Sequence, residues 1–232
     1  MANRGLDELG EDLTGFGRTE LRTIRHNLTR PAELVDAYMR QGATGGGLYS
    51  RPLKLYLALN GAFLVLLLFV GSERQLTFMI PEPLLVQGLE ASGKSRDAFL
   101  ADAEGWMTFL SIPFGAAAYA LAMAPLLRWW DPDDLGWRRA FRATFAFLNV
   151  WTVPLLPLMW LSFFPATEII AGLGMFGLAI VAFIRAGKGR WWTSPAGAIG
   201  KGLAAAVALH LAAAVSLVPV TALVLLGATY GR

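Results

Sequence analysis

Residues 199–226 read Ile199-Gly-Lys-Gly-Leu-Ala-Ala-Ala-Val-Ala-Leu-His210-Leu-Ala-Ala-Ala-Val-Ser-Leu-Val-Pro219-Val-Thr-Ala-Leu-Val-Leu-Leu226. After Lys201 no residue in this stretch carries a fixed charge. A helix needs roughly 20 apolar residues to cross a hydrocarbon core of about 30 Å, and this stretch exceeds that. A hydrophobic run of such length has no place in a soluble domain of this size, so its reading decides the fold class.

Working outward, the same test finds spans near 53–71, 106–127, 141–164 and 167–185. The fourth is the shortest and borrows interfacial residues such as Thr167 and Arg185. Composition agrees. The 232 residues are 55% hydrophobic and 16% charged, where soluble domains run nearer 45–50% and about 25%. The expected fold is all-α: an integral membrane bundle of about five transmembrane helices filling residues 48–232.

Charge placement gives the bundle a direction. With the N-terminus inside, segments 1–54, 128–142 and 185–201 hold 16 of the 20 Lys and Arg residues. The outer segments keep Arg74, Lys94, Arg96 and Arg232. That asymmetry is the positive-inside pattern. It implies a bacterial inner membrane location, a cytoplasmic N-terminus and a periplasmic C-terminus. No early apolar run follows Met1, so the first span is expected to act as an uncleaved signal-anchor. The outer 72–105 loop is acidic, and its Leu84–Leu89 and Ala98–Ala103 stretches suggest short interfacial helices. Trp106, Trp129, Trp130, Trp137, Trp191 and Trp192 fall at span ends, where an aromatic belt belongs.

Ahead of the first span, residues 1–17 read as a flexible acidic tail. Residues 18–47 read as two amphipathic juxtamembrane helices and a glycine hinge at Gly42–Gly47. Leu21, Ile24 and Leu28 recur at helical spacing with arginines between them, and Pro31 restarts the helix. Arg18, Arg22, Arg25, Arg30 and Arg40 give the pair a basic bias that suits an anionic lipid surface. Packing on the bundle's own ends is the alternative, and the two are compatible.

Chemistry-bearing residues are sparse. There is no cysteine, which removes disulfides, thiolate zinc sites and cysteine nucleophiles. No serine stands in a nucleophile-elbow context, so no catalytic residues and no enzymatic activity are expected. Nor is a metal site, although Asp131, Asp133 and Asp134 offer three carboxylates: either divalent-ion ligands or a helix N-cap and turn. Asn60, Asn149 and Thr152 suit either interhelical hydrogen bonds or a polar cavity. Gly172, Gly174 and Gly177 read as a close-packing face. His210 is the one titratable residue deep in a span. It would either bond a neighbouring helix or ligate a tetrapyrrole, since Ala206-x-x-x-His210 is similar to the spacing around the pigment-ligating histidine of light-harvesting polypeptides.

Arg30-Pro31, Tyr38, Gly42, Tyr49, Pro52-Leu53 and Leu55-Tyr56-Leu57 together resemble the entry to the first span in an uncharacterised family of bacterial polytopic membrane proteins. That family usually begins with a cysteine zinc ribbon, which this chain lacks. The resemblance covers residues 19–60 and implies no activity. The layout is also similar, in topology alone, to the Yip1 family of membrane-trafficking proteins. The functional expectation is a non-enzymatic accessory or assembly subunit. Its partners would be membrane lipids and other membrane subunits or further copies of itself, with no nucleic acid. The rivals are a small-solute transporter or channel with its path between the third and fifth spans, and a tetrapyrrole-binding subunit using His210.

Overall fold

The computed structural model describes residues 17–67, 76, 80–162, 164 and 166–231. Nearly all of the acidic tail, residues 1–16, lies outside the described residues, as do the last positions expected of the first span, 68–71. Among the described residues every regular element is an α-helix: α1 Arg18–Thr29, α2 Pro31–Gln41, α3 Pro52–Leu67, α4 Glu82–Ser92, α5 Arg96–Trp130, α6 Trp137–Ser162, α7 Glu168–Ala186 and α8 Pro195–Tyr230. Helices α5 to α8 are long and apolar enough to cross a membrane, and α3 is a shorter apolar helix. In lipid each backbone N–H and C=O must be satisfied within the chain, which is why apolar segments of this length are helical. The chain is an all-α, multi-pass membrane protein.

Local sequence sets most boundaries. Pro31 opens α2 and Pro195 opens α8, each at a position whose N–H has no helical partner. The Ser194 hydroxyl accepts a bond from the Gly197 N–H at 3.1 Å. The turn before α3 runs through Gly42, Gly45, Gly46 and Gly47, all at positive φ. At Gly45 a β carbon would also stand 2.6 Å from the Tyr49 ring, so this turn is built for glycine.

The second span begins earlier than hydropathy suggests. Ala98–Ala103 is not a separate interfacial helix but the first turns of α5, and Leu84–Leu89 lies within α4 as expected. Helices α5 and α8 have 35 and 36 residues. At 1.5 Å per residue both exceed 50 Å, against roughly 30 Å of hydrocarbon. Their extra length meets α4 at the end of the bundle opposite α1 and α2.

Helix α6 stands at the centre, touching α1, α2, α3, α5 and α7. Around it one core forms from residues such as Tyr38, Met123, Phe147, Phe183, Trp191 and Leu209. A second core joins α4, α5 and α8 through Leu85, Phe99, Met107, Val220 and Val224. Trp191 is 1% exposed and stacks on Phe183 with ring centroids 5.7 Å apart. It is therefore a core residue rather than part of the belt. Trp129, by contrast, is 80% exposed.

Small residues bring α7 and α8 together, but not at the glycines the sequence singled out. A β carbon at Gly172 or Gly177 would meet nothing within 4 Å; only Gly174 sits against a neighbour, Leu158. The close approach is at Gly202, where a β carbon would lie 3.2 Å from Ile180 Cγ2. Replacing Gly202→Val should overpack this contact and cost about 1–3 kcal/mol. Gly200→Val, whose β carbon meets open space, should not. Thermal unfolding of the two variants in detergent separates them.

Candidate functional site

The polar groups of the bundle concentrate at the end bearing α1 and α2. Helix α1 turns an unexpected side inward. Glu20, Thr23 and Asn27 are buried, whereas Leu21 is 59% and Leu28 43% exposed. The reason lies in Ser50, at the entry to α3. Its hydroxyl donates to Glu20 Oε1 at 3.0 Å, its N–H to Thr23 Oγ1 at 2.9 Å, and its carbonyl accepts from the Tyr38 hydroxyl at 2.6 Å. Lys54 donates to Glu20 Oε1 at 2.9 Å, and the Gly17 N–H to Oε2 at 3.0 Å. Two helices are thus locked onto one residue through groups that would be costly to bury alone.

The lock continues into the spans. Asn149 Nδ2 donates to the Pro52 carbonyl at 2.8 Å, so this asparagine ties α6 to the start of α3. Arg142 donates to the Tyr38 carbonyl at 3.0 Å, and Arg185 to the Leu28 carbonyl. Burial alone would raise the Glu20 carboxyl. The bonds from Lys54, its own backbone, Ser50 and Gly17 outweigh that and hold it below its ordinary value. Burial pushes the Tyr38 phenol up.

A second knot joins three loops and helices. Arg190 donates to both oxygens of Asp131, at 2.5 and 2.8 Å, and to Asp133 at 2.8 Å; it also lies 3.6 Å from Asp36. Trp191 Nε1 adds a bond to Asp131 at 3.2 Å. Burial disfavours the Arg190 cation, but Asp131 and Asp133 more than compensate and raise it above its ordinary value. Two of the three acids that suggested a cap or an ion site are thus engaged by a guanidinium. The cap expected there does not form. The Asp133 N–H bonds Asp131 in a local turn, and α6 begins on the Gly136 carbonyl.

The arginines noted in the sequence lie on this same end. Arg18, Arg22 and Arg25 share the exposed face of α1 with Leu21 and Leu28. Arg30 is exposed and 3.5 Å from Glu33, and Arg40 bonds Asp36 at 2.8 Å. His210 stands apart, mid-way along α8. Its Nδ1 is 2.8 Å from the Ala206 carbonyl, and the rings of Phe176 and Trp151 approach to 5.1 and 6.3 Å. These three rings come from α6, α7 and α8. Ala205 and Ala206 are buried in helix contacts, so the small residues beside His210 serve packing within the chain. Among the described residues no group of three His, Cys, Asp or Glu is arranged to hold a metal.

No protein-family model, curated protein or solved structure matches this chain.

Because the Glu20 carboxyl is held below its ordinary value, its contribution is present above the unfolded carboxyl pKa and lost as pH falls through the folded one. Hydrogen-exchange protection over residues 18–41, corrected for the intrinsic pH dependence of exchange, should hold from neutral pH down to about 5 and fall below about 4, where glutamate ordinarily titrates. Glu20→Gln should remove that dependence and loosen the helix pair by about 1–3 kcal/mol.

Proposed function

We propose that this chain is a non-enzymatic membrane protein that works through its contacts with lipid and with other membrane subunits, as an accessory or assembly component of a bacterial inner membrane. The observation that carries this reading is the orientation of α1. A juxtamembrane helix that packs its polar side onto the bundle leaves Leu21 and Leu28 facing outward beside Arg18, Arg22 and Arg25, with Ile24 half-buried at the edge. An exposed apolar strip edged by arginines is the arrangement of an interfacial helix on anionic lipid.

Two further features support it. Helix α7 leaves Ile169, Ile170, Leu173 and Val181 uncovered, a face for lipid or for another span. The bundle end bearing α1 and α2 also gathers Arg128, Arg138, Arg139, Arg142, Arg185 and Lys188, which favours placing it in the cytoplasm.

Both parts are testable on the intact protein. The chain has no cysteine, so an environment-sensitive fluorophore on Leu21→Cys reports one site. In nanodiscs with anionic lipid its emission should be blue-shifted relative to a Glu33→Cys control. The shift should shrink near 1 M salt, where the screening length is about 3 Å. A Leu21 label as wet as the control in every lipid would rule out the interfacial face. For orientation, a reporter active only in the cytoplasm should be active inserted at Lys188-Gly189 and silent after Arg232. The reverse pattern would invert the topology.

A further inference from the structure

Between the two cores lies a cavity of about 280 Å³. Its lining comes from α3, α5, α6, α7 and α8, so it occupies the axis of the bundle. Along α5 it extends from Met107 to Tyr119, about 18 Å at the α-helical rise. It is a long slot rather than a round chamber. No charged side chain lines it.

The slot is apolar with a few polar groups, the usual character of a small-molecule site. The hydroxyls of Ser111, Ser162 and Ser216 donate to the Met107, Met159 and Ala213 carbonyls of their own helices, at 2.6–2.8 Å. Their oxygens therefore face the slot as acceptors. At the end nearer the basic face stand Tyr56, Asn60 and Tyr119. Asn60 Nδ2 is taken by the Tyr56 carbonyl at 2.8 Å, and its amide oxygen retains acceptor capacity. The Tyr119 hydroxyl has no hydrogen-bond partner among the described residues, and it is not sealed in. Within hydrocarbon an unpaired phenol is costly, because neither water nor lipid tails answer it.

Gly115 points the same way independently. It lies in the slot wall, and a β carbon there would meet only Tyr119 Cε2, at 3.9 Å. No neighbouring helix requires the glycine, in contrast to Gly202. The absent side chain leaves room in the slot itself.

We infer that this slot binds a neutral amphiphile: one hydrocarbon chain lying along α5, with an uncharged, alcohol-type head between Tyr119 and Asn60. The head oxygen accepts from the Tyr119 hydroxyl and its O–H donates to the Asn60 amide oxygen. An ionised head is disfavoured, since nothing in the lining offsets its charge.

The test uses the full chain in nanodiscs and a hexadecanol carrying a mid-chain diazirine and a terminal alkyne. After illumination, labelled peptides should map to Met107–Tyr119 and to the facing part of α3, and unlabelled hexadecanol should compete. Gly115→Leu should lose most of this labelling while its thermal unfolding in detergent stays at or above wild type. Tyr119→Phe should weaken competition by about five-fold, the value of one hydrogen bond. The matched hexadecanoic acid, kept ionised at alkaline pH, should label the slot poorly. Labelling spread over Ile169–Leu173 and Val215–Val218, unchanged in Gly115→Leu, would overturn the site. Equal labelling by the ionised acid would overturn the neutral head. If Gly115→Leu fails to fold, Ala213→Leu narrows the slot from α8 and is read the same way.

Discussion

Ser50 is the point on which the arrangement turns. Its N–H, carbonyl and hydroxyl are bonded by Thr23, Tyr38 and Glu20, three residues of two helices that precede it. None of these partners would tolerate burial alone, and together they engage both donors and the carbonyl of Ser50. The chain therefore enters α3 in one direction only. Asn149 then fixes the Pro52 carbonyl, two residues on, to the central helix. Loss of any one partner would strand the others, so the network acts as a unit.

This lock explains why α1 faces as it does. Its apolar residues are ordinary material for packing, yet Leu21 and Leu28 are left out and Glu20, Thr23 and Asn27 are taken in. The polar side wins because its partners already stand at the mouth of α3. Outward-facing leucines beside arginines then follow as a by-product, and it is on them that the proposed lipid contact rests.

How much of this the sequence disclosed depends on the range of the interaction. Apolar runs marked all the spans, because hydropathy is a property of contiguous residues. The start of α5 was hidden, since Arg96, Asp97, Asp102 and Glu104 interrupt the run. Its signal was the helical spacing of Phe99, Ala103 and Met107, which continues into the span without a break. The buried face of α1 was not legible, because Ser50 and Lys54 lie some 30 residues further on. Asp131 read as a cap because its own turn chemistry allows one; Arg190, 59 residues away, claims it instead. The intramembrane slot left two traces: Asn60, which suited interhelical bonding as well as a polar cavity, and a glycine inside an otherwise alanine-rich stretch of α5, with nothing to distinguish it from packing.

The unequal lengths of the spans carry a mechanical consequence. Helix α7 has 19 residues, about 28 Å at the α-helical rise, while α5 and α8 have turns to spare. Long helices meet a bilayer of any thickness by tilting or by leaving it; a short one must stand upright or draw the lipid inward. Much of the outer face of α7 is uncovered, so that adjustment falls on the lipid next to it. Hydrophobic mismatch costs only fractions of a kcal/mol per ångström, but that is enough to sort proteins between membranes of different thickness. The shortest of the four membrane-length helices thus sets the thickness at which they rest unstrained together, and a thicker bilayer would pinch around it.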